Sequence, residues 1–141
     1  MEIRTPGEGD ARALVTLAAL AIGIGRAPGV VRSHVERGEL LVAEQQGDVV
    51  GLVAYRTDWF ECTFVSLVAV TESARRRGVA RALFDAVERR APAPRLFSST
   101  EETNTIAIQM HRALGFAPSG HIDNLPQGYR ELLFYKRLAP R

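Results

Sequence analysis

The 141-residue sequence predicts an α/β (α+β) fold built on a mixed sheet. Three observations carry that prediction. Strand-like and helix-like segments alternate through the second half of the chain. An apolar run rich in β-branched residues, Cys62 to Val70, hands over through a short basic turn to an amphipathic helix that starts at Gly78. No repeat, linker or low-complexity tract breaks the pattern, so residues 1–141 read as a single domain, long enough to bury about two thirds of its unfolded surface.

Taken in order, Glu2 to Thr5 is a short first strand, stopped by Pro6-Gly7. Asp10 is placed to cap a helix from Ala11 to Ile22, ended by Gly23 and Gly25; apolar nearly all round, it should be buried or form a pocket wall. Pro28-Gly29 punctuates, and Val30 to Arg37 is a second short helix closed by Gly38. Leu40 to Glu44 and Val49 to Tyr55 form a hairpin across Gln45-Gln46-Gly47-Asp48. A turn over residues 57–60 leads to the Cys62–Val70 strand, which is apolar on both parities and therefore expected to be central and covered on both faces. The helix from Gly78 to about Arg90 carries Val79, Ala80, Leu83, Phe84 and Val87 on one stripe, with Arg81, Asp85 and Arg89 opposite. Pro92 and Pro94 end it. Arg95 to Ser99 is a strand, Thr103 or Asn104 starts a helix that runs to Leu114 and is capped by Gly115, and Phe116–Ile122 and Glu131–Leu138 are the last two strands.

Composition excludes several classes of function. A net charge of +2 gives no bulk electrostatic case for nucleic acid, even though Lys136 is the only lysine among 18 basic residues. The lone Cys62 excludes an internal disulfide and any cysteine-based zinc site, so no metal is expected. The N-terminus lacks the basic and apolar regions of a signal peptide, and the longest apolar stretch, Ala13 to Gly25, is too short for a bilayer. The expectation is a cytoplasmic protein with no membrane partner.

The basic turn is where the chemistry concentrates. A strand that meets a helix through Arg75-Arg-Arg-Gly78-Val-Ala80 is an anion cradle. First-turn N–H groups point outward, the helix dipole adds positive potential, and the small residues at 78 and 80 let a diphosphate approach. The arginines add charge that pairs with phosphate oxygens. Gly-Lys-Ser/Thr and the three-glycine dinucleotide pattern are both missing, which disfavours ATP and NAD.

These residues resemble the GNAT superfamily of acyl-CoA-dependent N-acetyltransferases. Val65 to Val70 followed by Arg75-x-x-Gly78-x-Ala80 is similar to the family's Gln/Arg-x-x-Gly-x-Gly/Ala motif. Asn104-x-x-Ala107 with Gly115-Phe116 resembles a second family segment. The resemblance implies a mostly antiparallel central sheet of about seven strands flanked by about four helices, in the order β-α-α-β-β-β-α-β-α-β-β. It implies acetyl-CoA as cosubstrate and a small-molecule or peptide amine as acceptor, and family members often form homodimers. Backbone groups of Val68, Ala69 and Val70 would hold the pantetheine arm. Main-chain groups of Arg76, Arg77, Gly78, Val79, Ala80 and Arg81 would hold the diphosphate, with Arg75 in the motif's leading position and Asn104 touching the pantetheine.

The implied reaction is direct attack of an amine on the thioester, and an alkyl amine of pKa about 10 must first lose a proton. His111 stands where many family members carry the tyrosine that protonates the leaving thiolate. Seven residues after Asn104, it lies within about 20° of it on one helix face, at the edge of the arc of Ile106, Ala107, Met110, Ala113 and Leu114. It is the candidate general acid and a cofactor contact. The usual strand glutamate falls on Phe64, with Ser66 next on that face, and neither is a base. A base acting through water is therefore expected, with Glu61, His34 and His121 as candidates. The rival reading is a non-catalytic acyl-CoA-binding regulator.

Overall fold

The computed structural model describes residues 1–139, so the last two residues of the predicted domain lie outside it. Seven strands follow the order β1-β2-β3-β4-β5-β7-β6: β1 (Glu2–Arg4), β2 (Leu40–Gln45), β3 (Asp48–Trp59), β4 (Cys62–Val70), β5 (Arg95–Glu101), β6 (Ala117–Ile122) and β7 (Glu131–Arg137). The helices are α1 (Ala11–Ile22), α2 (Ala27–Glu36), α3 (Val79–Arg90) and α4 (Thr105–Ala113). This is the predicted mixed, mostly antiparallel architecture. The chain divides into two compact units, Met1–Arg56 with Ser66–Arg90, and Thr57–Val65 with the segment from Ala91 onward.

In the first unit β1 and β2, and β2 and β3, pair antiparallel. Gln46 and Gly47, both at positive φ (52° and 84°), make the two-residue turn whose twist suits a hairpin. Side chains alternate across these strands. Leu40, Val42, Leu52, Ala54, Leu67 and Ala69 meet Leu14, Leu17 and Ala18 of α1 and Val31 of α2 in one apolar cluster. On the opposite face α3 comes down on Gly51. A Cβ placed there would lie 2.9 Å from Val79 Cγ1, 3.2 Å from Leu83 Cδ1 and 3.4 Å from the Ala69 carbonyl oxygen, so only glycine lets α3 sit this close.

Local chemistry changed one expected boundary and one expected cap. Pro28 and Gly29 belong to the first turn of α2 rather than to a break before it. Proline is tolerated there because first-turn N–H groups lack intrahelical partners anyway. Asp10 does not cap α1 with its side chain. Its carboxylate instead accepts from Arg4 Nη1 at 2.7 Å and from the Gly7 N–H at 2.6 Å, and Arg4 also reaches Glu44. The Arg4 hydrogen bond foremost, then the Gly7 N–H, hold the Asp10 carboxyl below the usual carboxylate range.

In the second unit the parallel β4–β5 register takes in Thr63↔Leu96 to Val65↔Ser98, and β7 pairs antiparallel with both β5 and β6. β3 runs further than the sequence suggested, to Trp59. The turn falls on Phe60 and Glu61, both at positive φ (50° and 62°). Trp59 stacks on Phe64 at 4.8 Å, and Phe97 lies beside it, a packing gain that keeps residues 57–59 extended. No helix among the described residues is long and apolar enough to cross a membrane.

Replacing Gly51 by valine should cost about 1–3 kcal/mol, since the added methyls must push α3 from β3. Urea unfolding measures this. A Gly51→Val protein as stable as the wild type would mean the close approach is not a constraint.

Candidate functional site

The end of β4 and the turn after it lie in the first unit. Leu67 and Ala69 point into the core, whereas Val68 and Val70 are half-buried and Ser66 is exposed. The expectation of two covered faces is therefore corrected: Leu67 and Ala69 are covered, whereas the alternate positions are half-buried at Val68 and Val70 and exposed at Ser66. Apolar residues on both parities show what a face tolerates, not what packs on it. Val68, Ala69 and Val70 also lie past the β4–β5 register, which ends at Val65.

The turn is fixed at both ends. Thr71 N–H donates to the Val50 carbonyl at 2.8 Å, and Arg75 Nε donates to the Val70 carbonyl at 3.2 Å. A single 3-10 turn, Glu72–Ala74, follows the strand. Arg75, Arg76, Arg77, Gly78 and Arg81 are all exposed, while Val79 is buried and Ala80 half-buried. Arg76 has φ 64°, uncommon for a side chain with a Cβ, and Gly78 has φ 82°. The first bond within α3 runs from Ala82 N–H to the Gly78 carbonyl at 3.0 Å. The Val79 and Ala80 N–H groups precede it and have no acceptor inside the helix. Nothing lies within 4 Å of where a Gly78 Cβ would stand, so the space over the turn is open. Four arginines, a helix N-terminus and an unobstructed backbone can together hold a multiply charged anion.

Two histidines are held by the same device. His34 Nδ1 donates to the Val30 carbonyl one helical turn back at 2.8 Å, and its Nε2 lies 3.3 Å from Ser66 Oγ. His111 Nδ1 donates to the Ala107 carbonyl at 2.7 Å, and its Nε2 lies 2.7 Å from Ser98 Oγ. A carbonyl only accepts, so each Nδ1 carries a proton, and whenever the ring carries no second proton its Nε2 is the acceptor. The surroundings differ. His111 is 1% exposed and Ser98 2%, and the ring stacks on Phe134 at 4.4 Å with Phe116 edge-on. Burial foremost pulls the His111 pKa below the ordinary histidine value, against the Ala107 hydrogen bond.

α4 is thus rotated from the expected arrangement. His111 forms the middle of its buried face with Leu114, while Ile106 is 78% exposed and Ala113 is exposed too. Hydropathy cannot anticipate an inward imidazole that finds a serine and an aromatic stack. Ser98 is sealed as well, so the His111 ring lies enclosed in the core. Asn104 does cap α4, accepting from the Ala107 N–H at 3.0 Å through Oδ1. Glu61 sits on the exposed turn between β3 and β4. His121 Nε2 lies 3.5 Å from Asp123, which also accepts from Arg130 Nε at 3.0 Å, so that loop is stitched to itself. Residues of α1 with Val49 and Thr71 line an open, largely apolar cleft of about 480 Å³, the wall anticipated for this helix. The Ser66–His34 pair joins residues 32 apart in the chain, and no sequence spacing could have revealed it.

The model of the acetyltransferase (GNAT) family matches residues 23–116. The chain belongs to this family. No curated protein matches the sequence. Among solved structures, an acetyltransferase of the GNAT family from Bacillus cereus ATCC 10987 is 27% identical, with a TM-score of 0.87 over 99% of this chain and 98% of that one. A ribosomal-protein-alanine N-acetyltransferase from Brucella melitensis is 25% identical, with a TM-score of 0.75 over 98% and 100%. An aminoglycoside 6'-N-acetyltransferase complexed with coenzyme A is 15% identical, with a TM-score of 0.82 over 100% and 99%, a likeness of fold alone. The GNAT assignment covers both the basic turn and α4.

Burial holds the folded His111 pKa below its ordinary value, whereas the unfolded chain protonates it near pH 6.5. Its contribution is therefore fully present above that pH and is lost as pH falls below it, where the unfolded state binds more protons. In urea unfolding from pH 8 to pH 5, wild-type stability should fall more steeply than that of His111→Gln. The variant should be less stable by about 1–3 kcal/mol at pH 8. Parallel profiles would show that His111 is not held neutral.

Proposed function

We propose that this GNAT protein is an N-acetyltransferase that moves an acetyl group from acetyl-CoA to a primary amine by direct attack. The observation that carries the reading is the turn at Gly78. An exposed, arginine-rich loop with open space above it runs into α3, and the half-open end of β4 leads to it. The N–H groups of Val79 and Ala80 and the arginines at 75, 76, 77 and 81 bind the diphosphate. Main-chain groups of Val68, Ala69 and Val70 hold the pantetheine as an added strand would. The whole chain acts as one GNAT-type domain, a reading supported by a family match that runs through both compact units.

The chemistry follows from thioester reactivity. The amine nitrogen uses its lone pair to bond the carbonyl carbon, and the carbon–sulfur pair leaves on sulfur as the thiolate of coenzyme A. Binding both reactants in one geometry removes most of the entropic cost of their encounter. The acceptor is a primary amine on a small molecule or a peptide; solved relatives named for a ribosomal-protein alanine and for an aminoglycoside span both. With His111 enclosed, the proton for the thiolate comes from the attacking amine.

Calorimetric titration with acetyl-CoA should give micromolar binding to the wild type and none to Gly78→Glu. The added carboxylate repels the diphosphate, and its Cβ strains a residue at φ 82°. Far-ultraviolet circular dichroism would confirm that the variant is folded. Thiol release in the presence of alkyl, peptide and aminoglycoside amines then identifies the acceptor. A folded wild type that ignores acetyl-CoA would overturn the reading, and one that binds it without turnover with any amine would mark an acyl-CoA-sensing protein.

A further inference from the structure

The two histidine–serine pairs share one geometry but not one environment, and the difference points to a role. Ser98 and His111 are both sealed. His34 is also buried, at 8% exposure, but its partner Ser66 is an exposed residue of β4. Both residues lie in the first compact unit. The His34 ring cannot swap its nitrogens without losing the Val30 carbonyl, so Nε2 stays the acceptor and faces Ser66 Oγ. Ser66 precedes Val68 by two residues in β4.

We propose that Ser66 and His34 form the proton relay of the transferase, with Ser66 Oγ touching the acceptor amine and His34 positioned behind it as the proton store. This rests on the reading that Val68–Val70 hold acyl-CoA. The amine arrives as an ammonium. One N–H proton passes to Ser66 Oγ while the Ser66 hydroxyl proton passes to His34 Nε2, leaving a neutral amine and an imidazolium. The amine lone pair then forms the N–C bond, the C–S pair leaves with sulfur, and the second proton of the nitrogen goes to the thiolate. His34 returns its proton to solvent through Ser66. The sum is ammonium plus acetyl-CoA giving amide, coenzyme A thiol and one proton. The 3.3 Å separation of Oγ and Nε2 is that of a hydrogen bond which tightens when substrate orders the hydroxyl. The relay also accounts for a strand with no glutamate: the base lies on α2 and reaches an exposed position of β4 through Ser66.

The test uses thiol release from acetyl-CoA with n-propylamine and with an alanine-leading tripeptide. His34→Asn keeps an N–H where Nδ1 meets Val30 but has no Nε2. It should lower kcat by about 100-fold or more, with the KM for acetyl-CoA and the melting temperature little changed. Ser66→Ala should fall comparably, Ser66→Thr should recover most of the rate, and the double variant should be no slower than either single one, as for groups that act as a unit. Wild-type turnover undiminished in His34→Asn, or equally impaired in Ser66→Thr and Ser66→Ala, would overturn the relay and leave the transferase reading standing. Wild type that binds acetyl-CoA yet releases no thiol with either amine would overturn both.

Discussion

The approach of α3 to Gly51 is the constraint on which the rest of the candidate site depends. With no Cβ at that position, Val79 and Leu83 settle against the β3 backbone and within reach of the Ala69 carbonyl side of β4. Where α3 starts is thereby set relative to the end of β4. The interval between them, Thr71 to Gly78, must turn in a few residues. It does so with a 3-10 turn, an arginine at φ 64° and a glycine at φ 82°. Helix N–H groups, arginine side chains and the open strand end are then neighbours because one helix is packed close, not because any loop sequence is special.

Elements with strong local signals were legible in the chain. α1 matches its expected span, since Gly23 at φ 82° ends it and donates its N–H to the Ala19 carbonyl. α3 matches because its apolar stripe is unambiguous: Val79, Leu83, Phe84 and Val87 are buried and Arg81, Asp85 and Arg89 are not. The boundaries that moved did so where tertiary contacts outweigh local preference. Trp59 extends β3 by stacking on Phe64, and Asp10 leaves its cap for Arg4. Gly51 reads as an ordinary strand glycine; its purpose is visible only once Val79 lies above it.

The site was legible to the same extent. The basic turn was found from residue types alone, because small residues and arginines before a helix have a direct electrostatic meaning. The histidines were named as candidates, but their surroundings were not legible, because their partners lie far away in the chain. His111 had the periodicity of a ligand-facing residue, yet Ser98 and Phe134 draw it inward. His34 was one of three base candidates, and its contact with the exposed Ser66 appears only in the fold. Two similar hydrogen-bonding devices thus differ in their surroundings: the serine of one is sealed, and the serine of the other is exposed.

Amide hydrogen exchange with and without coenzyme A tests the central claim most directly, because it reads the backbone groups to which binding is ascribed. Slowed exchange concentrated at Val68–Val70 and at Gly78–Ala80, and weakened by Gly78→Glu, is the expected result. Binding that leaves those amides unchanged and protects other segments would contradict the placement of the cosubstrate at the end of β4 and the start of α3.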